Sequence, residues 1–153
     1  MKEVGYSNLS IVLETWDQAR FGDKNFDTEF GMVAVARLFV LQPRAKQVFG
    51  FDKGDAYGWE HAAIHGKAFA GFFDSIFQML GPDLEFIEEI LEQLGKRHKK
   101  MGVNPSFFPF MGQAVIYSLE QYLKKELTKE QREAWEIVFE GISDEIVKQI
   151  LAD

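Results

Sequence analysis

No cysteine occurs in the 153 residues. That absence excludes a disulfide, a thiolate metal site, an iron–sulfur cluster and a prosthetic group attached through thioethers. Any iron would have to be held by histidine. Basic charge is also scarce: 17 Lys and Arg stand against 24 Asp and Glu, for a net charge of −7. No basic stripe is present to displace counterions, so a nucleic-acid partner is not expected. Long apolar runs are missing as well. None approaches the roughly 20 residues of a membrane span, and the opening MKEVGYSNLS has no apolar signal core. The expectation is a cytoplasmic protein without a membrane anchor. No repeat, low-complexity tract or linker divides the chain, whose length suits one domain over residues 1–153.

What is abundant is phenylalanine, with 15 residues in an aromatic fraction of 14%. A small core needs few side chains of that bulk, and flat rings suit the lining of a flat ligand. The apolar residues recur at helical steps, and no stretch alternates as a strand. A first helix is expected over Ser7–Arg20, capped by Ser7 or Ser10, with Leu9, Val12, Leu13, Trp16 and Ala19 inward. Asp27 or Thr28 is expected to cap a second helix carrying Phe30, Ala34, Leu38 and Leu41. Pro43 interrupts it, and FDKGDAYG, residues 51–58, reads as a loop. A long helix follows from Trp59 to Leu80 and is stopped by Gly81-Pro82. Asp83 is then expected to cap the next helix, which ends near Lys100. Further helices are expected over Ser106–Lys125 and after the capping box of Thr128 and Gln131. The fold class is all-α, with about six to eight helices.

Two of these helices carry a histidine on an apolar stripe. In LEFIEEILEQLGKRH, Leu84, Ile87, Leu91, Leu94 and His98 share one face. In WEHAAIHGKAFAGFFDSIFQML, His65, Phe69, Phe72, Ile76 and Leu80 do the same. A lone histidine on such a face is ordinarily a core residue bonded to a carbonyl. Two of them, aimed into an aromatic interior, can hold a metal or a flat cofactor between the helices. Gly31 and Gly66 each sit inside a helix, where Gly costs about 1 kcal/mol relative to Ala. Close crossing of the two helices at these glycines would account for both.

The ordered set Gly31, Pro43, Phe49, His65, Gly66 and His98 resembles the globin family across nearly the whole chain. Pro43 followed by Phe49 matches the turn before the distal helix, and His65-Gly66 matches the distal histidine and its glycine. LGKRHKKMGV, residues 94–103, resembles the proximal segment. That segment and ARLFVLQP are similar to neuroglobin-like globins. Taking His61 as the distal residue would change the Phe49-to-histidine step from 16 to 12 and the histidine-to-histidine step from 33 to 37. The choice of His65 lies closer to family spacing.

The resemblance implies a globin fold enclosing non-covalent haem b, with His98 as proximal iron ligand. Its other ring nitrogen would donate to the carbonyl of Leu94. His65 would be a hydrogen-bond donor to the bound gas or a sixth iron ligand. Phe49 would lie against the haem plane, and Leu94, Val103 and Phe108 would line the proximal side. Phe69 would crowd the distal side, Phe51 would border the mouth, and Ile142 would reach the porphyrin. Ala68 stands where many relatives carry a basic residue that bonds a propionate. Arg97, His61 and Lys67 are its candidate replacements. The implied function is binding of dioxygen and other diatomic gases for storage, supply or sensing, more a binding or transport role than an enzymatic one. The alternative is nitric oxide dioxygenation or nitrite reduction with an external reductase. A monomer and a homodimer are both compatible with the sequence.

Overall fold

The computed structural model describes residues 4–79 and 85–152. Among these residues there are six α-helices and no strand. They are α1 (Tyr6–Gly22), α2 (Phe26–Leu41), α3 (Asp55–Met79), α4 (Glu85–Lys100), α5 (Phe108–Leu123) and α6 (Lys129–Leu151). Short 3-10 segments occupy Pro43–Phe49, Phe51–Lys53 and Pro105–Phe107. The all-α class is as expected. The stop at Gly81-Pro82, the cap at Asp83, and Leu80 and Leu84 fall outside the described residues.

Several helix starts differ from expectation, for physical reasons. Neither Ser7 nor Ser10 caps α1, which begins after Gly5. Helix α2 begins at Phe26, ahead of Asp27 and Thr28, and has no side-chain cap bond. Phe26 is buried against Trp16 and Tyr122, at 5.0 and 5.3 Å between ring centres. Packing therefore sets this start in place of a cap. The stretch expected to be a loop is a 3-10 turn followed at Asp55 by α3. The Phe51 ring occupies the space that a side chain at Gly58 would need, so the early turn of α3 folds onto an aromatic. By contrast, the capping box at α6 is present as expected. Gln131 N–H donates to Thr128 Oγ1 at 3.1 Å, and Thr128 N–H donates to Gln131 Oε1 at 3.0 Å.

Helix α2 packs on both α3 and α5, α4 lies along α6, and α1 crosses α6. The α2–α3 crossing is the closest. A Cβ built on Gly31 would lie 1.7 Å from the Gly66 carbonyl oxygen, so the two backbones touch where the two interior glycines were expected to meet. This contact turns the Gly66 side of α3 toward α2. The buried line of α3 is consequently Ala62, Gly66, Ala70, Phe73 and Phe77, joined by Ile76 as expected. His65, Phe69 and Phe72 lie beside it, half-buried. Gly95 does the same for α4, since a Cβ there would meet Gln149 Cβ at 2.5 Å on α6.

The core is centred on Trp16, buried in α1. Phe26, Phe30, Phe73 and Phe77 surround it at 5.0–5.9 Å, all steeply inclined, with Trp135 at 6.3 Å. Edge-to-face pairs of this kind add to the area they bury. The indole N–H groups are satisfied: Trp16 donates to Asp74 at 3.1 Å and Trp135 to Thr15 at 2.6 Å. On the other side of the Gly31–Gly66 crossing the interior is not filled.

Candidate functional site

A cavity of about 360 Å³ opens beside that crossing. Leu38 of α2 and Ala45, Val48 and Phe49 of the first 3-10 segment form one side. His61, Ile64, His65 and Ala68 come from α3, and His98 from α4. Met101, Val103, Phe107, Phe108 and Met111 close the remainder. All three histidines of the chain are in this wall, and every other wall side chain is apolar. Imidazoles are costly to bury without partners. Their concentration in one greasy cavity is the strongest chemical signal in the molecule.

His98 is fixed by its own helix. Its Nδ1–H donates to the Leu94 carbonyl at 2.8 Å, one turn back, where the helix would otherwise leave that oxygen to the ladder alone. This leaves the lone pair on Nε2. The Phe108 ring lies 5.6 Å from the imidazole. Gly102, at φ +73°, reverses the chain after α4 and brings Val103 N–H to the His98 carbonyl at 3.1 Å. The side chain of Val103 thereby returns to the cavity.

His65 differs. Its Nδ1 is shielded from solvent and has no hydrogen-bond partner among the described residues. Burial, and secondarily the nearby charge of His98, pull its pKa down from 6.5 to about 4. The ring is therefore neutral at physiological pH. Phe49 meets it edge to face at 5.2 Å.

The other candidates are spread more widely. Leu94 contributes its carbonyl, and its side chain is absent from the cavity wall. Phe69 lies nearly parallel to the His65 ring at 6.3 Å and packs on Phe73 at 4.4 Å, also off the wall. Phe51 packs between Phe39 and Trp59, at 5.3 Å from each. Ile142 is buried in the core away from the cavity. Of the three possible partners for a propionate, only His61 borders the cavity, held by Nδ1–H donation to Tyr57 O at 2.9 Å. Lys67 and Arg97 are exposed elsewhere.

Sequence reasoning passed over Ile64 and Met101, which border the cavity while 61% and 55% exposed. The signal was available for Ile64. His61, Ile64, His65 and Ala68 fall at i, i+3, i+4 and i+7, which places them on one helix face.

The donor set fits a particular kind of metal group. Among the described residues no three His, Cys, Asp or Glu side chains converge to hold a bare ion. An iron held in a flat macrocycle would need only one or two imidazoles from the protein. His98 and His65 are the residues that would hold it, in a wall of otherwise apolar side chains and His61.

Helical layers around a cavity walled by apolar residues and imidazoles define the class of a haem-type binding protein. Comparison with known proteins identifies the family: residues 33–146 match the Globin family model. The chain belongs to the globin family and resembles its neuroglobins. It is 25% identical to neuroglobin of Danio rerio over 140 residues, covering 88% of this chain and 85% of that protein. It is 26% identical over 152 residues to a protein of Oryza sativa subsp. japonica named anaerobic nitrite reductase NSHB5, covering 96% and 97% of the two chains. Its fold is shared with a Drosophila melanogaster globin at a TM-score of 0.73 and 19% identity, covering 95% of this chain and 94% of that one. Family membership carries a haem cofactor and haem-based binding of diatomic gases in general. No described helix is long and apolar enough to cross a membrane.

Proposed function

We propose that the cavity holds haem b with His98 as proximal iron ligand, and that the protein binds dioxygen and related diatomic gases for storage, supply or sensing. The carrying observation is that His65 and His98 border one apolar cavity, His98 with its tautomer fixed by the Leu94 carbonyl. Bound haem supplies an iron that takes the gas. The chain supplies the rest. Leu94 holds the His98 proton on Nδ1, Phe49 and Phe108 exclude water, and Val103 shapes the proximal side.

His65 has two candidate roles, and its surroundings separate them. Direct coordination through Nε2 places the proton on Nδ1, where no acceptor stands among the described residues. An unmet buried donor costs about 1–3 kcal/mol. Donation from Nε2–H to the gas leaves only a bare lone pair on Nδ1. Under-satisfied acceptors are tolerated better than orphaned N–H groups. The donor role is therefore the one this geometry favours.

A second reading is redox chemistry on nitric oxide or nitrite with an external electron donor. It draws support from the name of the rice relative. Single turnover that no added reductant sustains would remove it.

The test is absorption spectroscopy after addition of iron protoporphyrin IX. A Soret band is expected for the parent protein, with loss of stable haem on His98→Ala. No Soret band in the parent, or near-normal haem content in the variant, defeats the proposal.

A further inference from the structure

A second hollow, of about 580 Å³, runs as a groove between α5 and α6 and contains no histidine. Its two walls differ in chemistry. The α5 wall, including Pro109, Gly112 and Ile116, carries no charge. On α6, Phe139, Ser143 and Val147 recur every fourth residue as one stripe of the groove, about 12 Å long at 1.5 Å per residue. Glu136, Glu140 and Asp144 form a parallel stripe on the exposed side. These three carboxylates make no ion pair among the described residues. The one basic lining residue, Arg132, is committed to Glu120 at 3.1 Å.

Ser143 adds an independent observation. It is 7% exposed, and its Oγ is shielded from solvent without any hydrogen-bond partner among the described residues. A helical serine ordinarily satisfies itself on a carbonyl one turn back. Ser143 lines the groove, and its hydroxyl holds no bond among the described residues that a ligand there would have to displace. An apolar slot flanked by aromatic rings, an unspent hydroxyl and three unpaired carboxylates on one edge selects an organic cation with an apolar body.

We propose that the α5–α6 groove is a binding site for small aryl- or alkyl-ammonium compounds. The apolar body lies between Ile116 and Val147, and the ammonium faces Glu140 and Asp144. Phe108 and Phe139, one from each wall, add a favourable face for a cation or an aromatic ring. The volume falls in the range of small-molecule sites. Phe108 also borders the histidine cavity, 5.6 Å from the His98 ring. The groove is thus coupled to His98 through a shared side chain.

The test is an NMR titration of the full chain with 2-phenylethylammonium chloride, with 2-phenylethanol as neutral control. It requires no haem, so its failure is distinct from failure of the haem proposal. Saturable shifts are expected at the Ile116 and Val147 methyl groups, accompanied by movement of the His98 ring protons. The doubly neutralised variant Glu140→Gln with Asp144→Asn should weaken the amine by about fivefold and leave the alcohol unchanged, as for exposed charge pairs. Both residues lie on the surface, so folding is preserved. Ser143→Ala should weaken both probes, because it removes the hydroxyl that each can bond. Absence of saturable methyl shifts overturns the site. Equal affinity for amine and alcohol overturns the ammonium assignment, and fixed His98 signals at saturation overturn the coupling.

Discussion

Two aromatic clusters flank the crossing of α2 and α3, and they end differently. Around Trp16 the rings close on one another and every indole N–H has an acceptor. Around Phe49 the same edge-to-face geometry recurs, with Phe39 and His65 each at 5.2 Å. There the rings leave a cavity of about 360 Å³ and a buried imidazole nitrogen without a partner among the described residues. Ring chemistry alone therefore does not decide whether an interior is full. The first cluster completes itself. On the proposed function the second would be finished by a group that the chain does not encode, and its unburied apolar wall would stabilise the protein when that group binds.

The sharpest way to break both clusters at once is the crossing between them. Gly31→Ala places a Cβ 1.7 Å from the Gly66 carbonyl oxygen, a backbone atom that cannot swing aside. Separation of α2 from α3 is expected to cost more than about 4 kcal/mol, above the usual range for overpacking. Gly71→Ala in the same helix α3 has nothing within 4 Å, and should be neutral or stabilising by up to about 1 kcal/mol. Urea unfolding of the two variants compares them directly. Similar midpoints would mean that the crossing is not the constraint described.

Next in size are the clusters one at a time. Trp16→Ala empties a filled core, and about 3–5 kcal/mol of stability should be lost whether or not haem is present. Phe49→Ala enlarges a hollow that already exists. In the haem-free protein it should cost less than half as much, with its larger effect appearing as faster haem loss. Thermal unfolding with and without haem separates the two. Equal losses for the two variants in the haem-free protein would end the distinction between a full and an unfinished cluster.

The filled cluster was the more legible from sequence. Trp16, Phe30 and Ile76 fall on apolar stripes at helical spacing, and such stripes bury themselves. The Gly31–Gly66 contact was also legible, because an interior helical glycine is costly without a close neighbour. Helix starts were less so. Phe26 overrides Asp27 and Thr28 through contacts with Trp16 and Tyr122, which are distant in sequence. The face of α3 was read correctly at Ile76 and about one position off at Phe69 and Phe72, where Ala70 and Phe73 are buried instead, since the pull of α2 on Gly66 is a tertiary effect. For the cavity, the histidines were visible and its extent was not. Periodicity shows which residues point inward, but it cannot show whether something already fills the space. That is why Phe69, stacked beside His65 and Phe73, and the buried Ile142 lie off the cavity wall, while the exposed Ile64 and Met101 border it.

The effect that vanishes at neutral pH is the most specific to the unfinished cluster. The His65 ring stays neutral in the fold down to about pH 4, whereas the unfolded ring takes its proton near 6.5. Between those values the unfolded chain holds more protons, so stability of the haem-free protein must fall as pH drops through that window. It is undiminished above it. A displacement from 6.5 to about 4 corresponds to roughly 3 kcal/mol at the low end, fading to nothing by pH 7. His65→Leu removes the titrating group and the orphaned nitrogen together. The difference in stability between variant and parent should therefore grow as the solution is acidified, in favour of leucine. Carboxylates elsewhere titrate alike in both proteins and cancel from the difference. A difference that stays constant from pH 7 to pH 4 would mean that the imidazole is solvated in solution, and the contrast between the two clusters would lose its chemical half.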